Sequence, residues 1–89
     1  MVTAMMTVRL RFGGGLGGTS RVEVTDFVLP EGTTVQAALE TLARDKGDEV
    51  FHPAVLVAVN GRRIPAEECA ARTLSPGDAL TVISGLAGG

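Results

Sequence analysis

The 89-residue chain has no tryptophan and no tyrosine, and its only aromatic residues are Phe12, Phe27 and Phe51. Binding of single-stranded nucleic acid by stacking needs exposed aromatic platforms, which three rings do not supply. A cationic surplus is missing as well. Eight Lys and Arg stand against ten Asp and Glu, a formal charge of -2, whereas binding to a phosphate backbone rests on excess Lys and Arg. The single cysteine, Cys69, has no partner for an internal disulfide. With His52 as the single histidine, the ligands for a zinc site are too few, and no metal is expected. No apolar run approaches the roughly 20 residues that span a bilayer. No charged segment followed by an apolar one opens the chain, so a cytoplasmic location is expected. Apolar residues make up 45% and charged residues 20%, the balance of one small globular domain and not of a disordered chain.

Periodicity divides the chain into short elements. Residues 1–6 show no clear period and are expected to be a frayed end, with Met6 an alternative initiator. From Thr7, Val8, Leu10 and Phe12 alternate with Thr7, Arg9 and Arg11, the pattern of a half-buried strand. Gly13-Gly14-Gly15-Leu16-Gly17-Gly18 reads as a flexible connection to a second strand over 21–29. There, Val22 and Val24 share a phase with Phe27 and Leu29 only if a bulge interrupts near Thr25-Asp26. Thr33 with Gln36 has the form of a capping box. Val35, Ala38, Leu39, Leu42 and Ala43 then form the apolar stripe of a helix that stops near Gly47, with Glu40 and Arg44 spaced as an i,i+4 ion pair on its other side.

Ala54 to Val59 is an unbroken apolar run, read as a strand covered on both faces. Asn60-Gly61 fits a type I′ turn into a short strand over 62–64 that Pro65 terminates. Ser75-Pro76-Gly77-Asp78 fits a type II turn, and the last strand runs from Ala79 to Ile83. The expected fold class is α+β: a mixed sheet of about five short strands with one amphipathic helix across one face. The helix stripe, Val8, Leu10, Phe12, the Val55 run and Leu74 form the expected core.

Two weaker motifs compete for a function. Gly13, Gly15 and Gly18 match G-x-G-x-x-G after a strand, but a dinucleotide fingerprint needs a helix directly after the third glycine, and Thr19 to Val24 reads as a strand. Cys69 is expected to fill part of the core, and a catalytic pair with His52 would lack an orienting third group.

Val57-Ala58-Val59-Asn60-Gly61, Leu74-Ser75-Pro76-Gly77-Asp78, a final strand and then Gly88-Gly89 follow in order. In this order the chain resembles the ubiquitin-like β-grasp sulfur carriers, which include the molybdopterin synthase small subunit and the thiamin-pathway and cysteine-pathway carriers. The resemblance implies a β-grasp domain over 7–84 with the first and last strands as parallel neighbours, and a flexible reactive tail over 85–89. It also implies that Gly89 carries the carboxylate that an ATP-dependent activating enzyme adenylates and a sulfur donor converts to a thiocarboxylate, with Gly88 giving access. The partners would be that enzyme, the sulfur donor and a sulfur-accepting synthase, while the chain itself binds no cofactor and is no enzyme. Alternatives within the resemblance are the small subunit of molybdopterin synthase and a modifier conjugated to proteins through Gly89. The side of the last strand that carries Ile83, with Arg9 and Arg11 beside it and Leu86 and Ala87 in the tail, is the candidate docking surface.

Overall fold

The computed structural model describes residues 3–16, 19–51 and 55–84. In chain order these form β1 (Met5–Leu16), β2 (Thr19–Pro30), α1 (Val35–Lys46), a 3₁₀ turn (Asp48–Phe51), β3 (Val55–Val59), β4 (Arg62–Arg63), a second 3₁₀ turn (Ala66–Glu68) and β5 (Ala79–Ser84). One five-stranded sheet has the order β2-β1-β5-β3-β4. β1 and β5 run parallel at its centre, and the other pairs are antiparallel.

The β1–β2 hairpin differs from its sequence reading in three ways. Strand pairing begins at Met5, and Met6 is a core residue only 3% exposed. Side-chain alternation is hard to see in a row of methionines, but Met6 falls in phase with Val8 and Leu10. The glycine-rich connection is itself mostly strand, because β1 runs on through Gly13, Gly14 and Gly15 to Leu16, opposite Thr19. Finally, no bulge interrupts β2. Met5↔Pro30 through Leu16↔Thr19 form one unbroken register, which leaves Val22, Val24 and Val28 exposed on the face away from Leu29. The valines do not change phase to reach the core; they stay outside.

α1 covers one face only. Its Val35, Ala38, Leu39 and Leu42 pack with Met6, Val8, Leu10, Val57, Val59, Leu80 and Val82 in a single cluster that also takes in Val50, Ile64, Cys69 and Leu74. Phe12, Ala43 and Val55 are partly buried at its margin. The N-cap is Thr34, one residue later than expected, with its hydroxyl accepting the Ala37 N–H at 3.1 Å. Thr33 turns its hydroxyl to the Pro30 carbonyl instead.

In place of a capping-box glutamine, the chain after β4 satisfies the helix start. Val35 donates to the Arg72 carbonyl at 2.8 Å and Gln36 to that of Cys69 at 3.0 Å, which occupies donors that a helix leaves free at its first turn. At the other end Gly47 has φ 92° and donates to Ala43, a left-handed position that glycine fills without a Cβ penalty. Among the described residues Glu40 and Arg44 form no ion pair within 4.0 Å. The single lysine, Lys46, reaches back to Glu23 at 3.7 Å and lies 5.5 Å from the centre of the Phe12 ring.

Among the described residues no element packs on the opposite face of the sheet. β3 is therefore covered on one side only, and Leu56 is 42% exposed on the uncovered side.

Candidate functional site

The last strand delivers the chain end. β5 pairs with β1 on one side and β3 on the other up to its final residue, where Ser84 faces both Gly14 and Val55. A centrally paired strand holds its backbone in place through two ladders, so the exit point at Ser84 is fixed by the sheet. Gly88 and Gly89, with Leu86 and Ala87, lie outside the described residues.

Around this exit the open face is assembled in rows across the strands. Val22, Gly13, Ile83 and Leu56 occupy one row, and Val24, Arg11, Thr81, Ala58 and Arg63 the next. Asp26, Arg9 and Ala79 follow further from the exit. The structure thus brings Arg9, Arg11 and Ile83 onto one face. Both arginines are exposed and Ile83 is partly covered. Asp26 stands opposite Arg9, yet among the described residues neither Arg9 nor Arg11 forms an ion pair within 4.0 Å. Thr7, Arg9, Asp26, Pro76, Gly77 and Ala79 line a shallow hollow at the far end of this face. The result is an apolar strip near the tail exit, bordered by two unengaged guanidiniums that can form paired bonds with a partner's carboxylates.

Leu56 and Val24 belong to this face, although the sequence pattern assigned them elsewhere. For Val24 the signal was the phase conflict between Val22-Val24 and Phe27-Leu29, which an uncovered face explains without a bulge; the apolar run around Leu56 carried no such signal.

The end of the sheet away from the tail is built from two turns that the sequence presents as separate motifs. Asn60 (φ 52°) and Gly61 (φ 83°) form the positive-φ turn between β3 and β4, and Gly77 (φ 84°) sits in the turn before β5. The Asn60 amide donates to Asp78 Oδ1 at 3.0 Å while its oxygen accepts the Ala79 N–H at 2.9 Å. The other Asp78 oxygen accepts the Ser75 N–H at 2.8 Å. Gly77 donates to Thr7 and Arg9 to Asp78 through their backbones, at 2.9 and 2.8 Å. This clasp fixes where β5 begins relative to β1 and β3, and hence the register that ends at Ser84.

The competing motifs do not form sites. The glycines before Leu16 lie within β1 and Thr19 opens a strand, so the helix that a pyrophosphate would need is replaced by β2. Cys69 is a core residue, 2% exposed, with its thiol directed at the Pro65 carbonyl at 3.5 Å. Burial, and then the nearby charges of Glu67 and Glu68, push that thiol above its ordinary value, the reverse of what a nucleophilic thiolate requires. His52 lies outside the described residues. Among those described, no group of three or more His, Cys, Asp or Glu is placed to hold a metal ion, and no helix is long and apolar enough to cross a membrane.

An antiparallel hairpin, a helix laid across the sheet and a central parallel β1–β5 pair define the ubiquitin-like β-grasp class. The solution structure of the Haloferax volcanii HVO 2177 protein matches with a TM-score of 0.73 and 26% identity, over 96% of this chain and 88% of that one. No curated protein matches the sequence. The model of the ThiS family matches residues 19–89, and the chain belongs to that family. It is a ubiquitin-like protein of the sulfur-carrier kind, a class of small carriers that are not themselves enzymes and that work with activating enzymes and synthases.

Proposed function

We propose that this protein carries sulfur as a thiocarboxylate on Gly89. The observation that carries the reading is the delivery of the chain from a doubly paired central strand, at Ser84, into a segment that ends Gly88-Gly89. The family match over 19–89, which includes that segment, supports it. An α-carboxylate has a pKa of about 3.3–3.7 and is an inert anion at neutral pH. An activating enzyme spends ATP to join the Gly89 carboxylate to AMP, releasing pyrophosphate. A sulfide equivalent from the donor then forms the carbon–sulfur bond as the bond to AMP breaks. The product is a thiocarboxylate, whose sulfur a synthase takes up.

Residues 85–89 can extend about 17 Å at 3.3–3.6 Å per residue, enough to enter a buried active site while the domain remains outside. Ordering five residues costs about 5–10 kcal/mol of backbone entropy, which contacts at the docking face must offset. Leu56 and Ile83, with Leu86 and Ala87 in the tail, supply the apolar part of that contact, and Arg9 and Arg11 the charged part. Use as a self-polymerising modifier is disfavoured, because Lys46 is the only lysine in the sequence and so offers a single attachment point.

The test is intact-mass analysis after incubation with the cognate activating enzyme, ATP and a sulfur source. The expected gain corresponds to one oxygen replaced by sulfur, and it should vanish when Gly89 is deleted. An intact chain that gains no mass with its cognate enzyme would refute the reading.

A further inference from the structure

β2 ends the sheet order on one side, and among the described residues no strand lies beyond it. The direction of its peptide groups follows from one bond at its end. Glu31 donates to the Ala4 carbonyl at 2.8 Å, one step past the Met5↔Pro30 pair. In an antiparallel ladder such bonded pairs alternate with non-bonded ones. Odd-numbered residues of β2 therefore turn their N–H and C=O toward β1, and even-numbered ones turn theirs outward. Val22, Val24, Asp26 and Val28 offer these outward groups, and the side chains of all four are exposed. Natural sheets guard such an edge with proline, charged side chains, a bulge or a short strand. Between Thr19 and Leu29 this one has no proline and no bulge, and its charges are confined to Arg21, Glu23 and Asp26, so a partner strand must be set in a register that keeps like charges apart.

We propose that this edge pairs with a second copy of the chain, β2 running antiparallel to β2 about a two-fold axis through Val24. The pattern along the strand selects both the occupant and the register. Pairing about a two-fold axis places that axis at a residue. At Glu23 or at Asp26 it would set two carboxylates face to face, which is unfavourable. At Thr25 it would set Pro30 against Ser20, but Pro30 has no N–H to give and its carbonyl already accepts from Thr33. At Val22 the overlap shrinks to residues 19–25. Centred on Val24, residues 19–29 pair along their whole length: Val24 meets Val24, Val22 meets Asp26 and Glu23 meets Thr25. No like charges stand directly opposite, the two Glu23 being offset on a diagonal, and every outward backbone group from Ser20 to Val28 gains a partner. β1 separates β2 from β5, so the two Ser84 exit points lie away from the seam and at opposite ends of the joined sheet.

Sedimentation velocity on the full chain, from low-micromolar to millimolar concentration, should show reversible dimerisation. Val24→Pro removes an N–H that points away from β1, so the hairpin should keep its fold while the dimer is lost. Val24→Lys, which adds a like charge at the axis, should do the same. Nitroxide labels fix the register, on single cysteines in a Cys69→Ala background. Labels at Val24 should meet across the axis, at a Cα separation of about 5.5 Å, and broaden the spectrum strongly. Labels at Val28 should lie about 27 Å apart, eight residues at 3.4 Å each. A chain that stays monomeric at millimolar concentration, a dimer that survives both substitutions at Val24, or equal broadening at the two label sites would overturn the proposal.

Discussion

The Asn60–Asp78 clasp allows a quantitative test of how the register of β5 is set. Asn60→Gly removes two side-chain hydrogen bonds, one to the Ala79 N–H and one to the Asp78 carboxylate, and leaves a residue at ease with the positive φ. Each such bond contributes about 0.5–1.5 kcal/mol net, and because both are solvent-exposed the lower half of that range applies. The expected loss is about 1–2 kcal/mol. Asn60→Ala loses the same bonds and in addition holds a Cβ-bearing side chain at φ 52°, a further cost of about 1 kcal/mol. Ala should therefore be the worse substitution although it is the larger residue, with a total of about 2–3 kcal/mol. Urea denaturation monitored by circular dichroism measures both variants, and a cycle with Asp78→Ala should give a coupling of about 0.5–1 kcal/mol for the one bond the pair shares. The clasp lies about 17 Å along β5 from Ser84, so under the proposed function the rate of thiocarboxylation of the folded protein should not change. Equal stability of the Gly and Ala variants, or a coupling near zero, would refute the account.

Three further outcomes follow from the same structure. Met6→Ala empties part of the core and should cost about 2–5 kcal/mol, whereas Met5→Ala, on the open face, should cost under about 0.5 kcal/mol by the same denaturation assay. Charge reversal at Arg9 and Arg11 should slow association with the activating enzyme and flatten its dependence on salt, read by stopped-flow, while leaving the melting temperature nearly unchanged. The Cys69 thiol, raised above its ordinary 9.0, favours the protonated form in the folded protein. Its contribution to stability is therefore complete below pH 9.0 and lost as pH rises through the higher folded value; Cys69→Ala should remove that alkaline component from the pH profile, and alkylation of the native protein should be slow at pH 8.

Much of the fold was legible because its signals are local. The stripe from Val35 to Leu42, the Asn60-Gly61 turn and the Pro76-Gly77 turn each need only a few neighbouring residues to be read. What escaped depends on partners distant in sequence. Val22 and Val24 carry the apolarity of core residues, and only the fact that no described element covers that face shows why they are outside. Thr33 looks like a cap until the carbonyls of Cys69 and Arg72 occupy the donors a capping box would use. Asn60 and Asp78 look like residues of two unrelated turns until the sheet brings those turns together. On the site itself, the alternation in β1 and β5 correctly placed Arg9, Arg11 and Ile83 on a shared face, because period-two reading survives long distance. It could not add Leu56, since an apolar run gives no sign of which side a neighbour will cover.

The position of β5 between two strands also governs how the molecule bears load. Under the proposed function, an enzyme that drew the tail into a channel while gripping the open face would pull along the axis of β5. That force falls on the hydrogen bonds to β1 and to β3 at once and across their length, in shear, instead of peeling them apart one by one. By this geometry β5 is the element best placed to withstand such traction, because its two ladders would share the load.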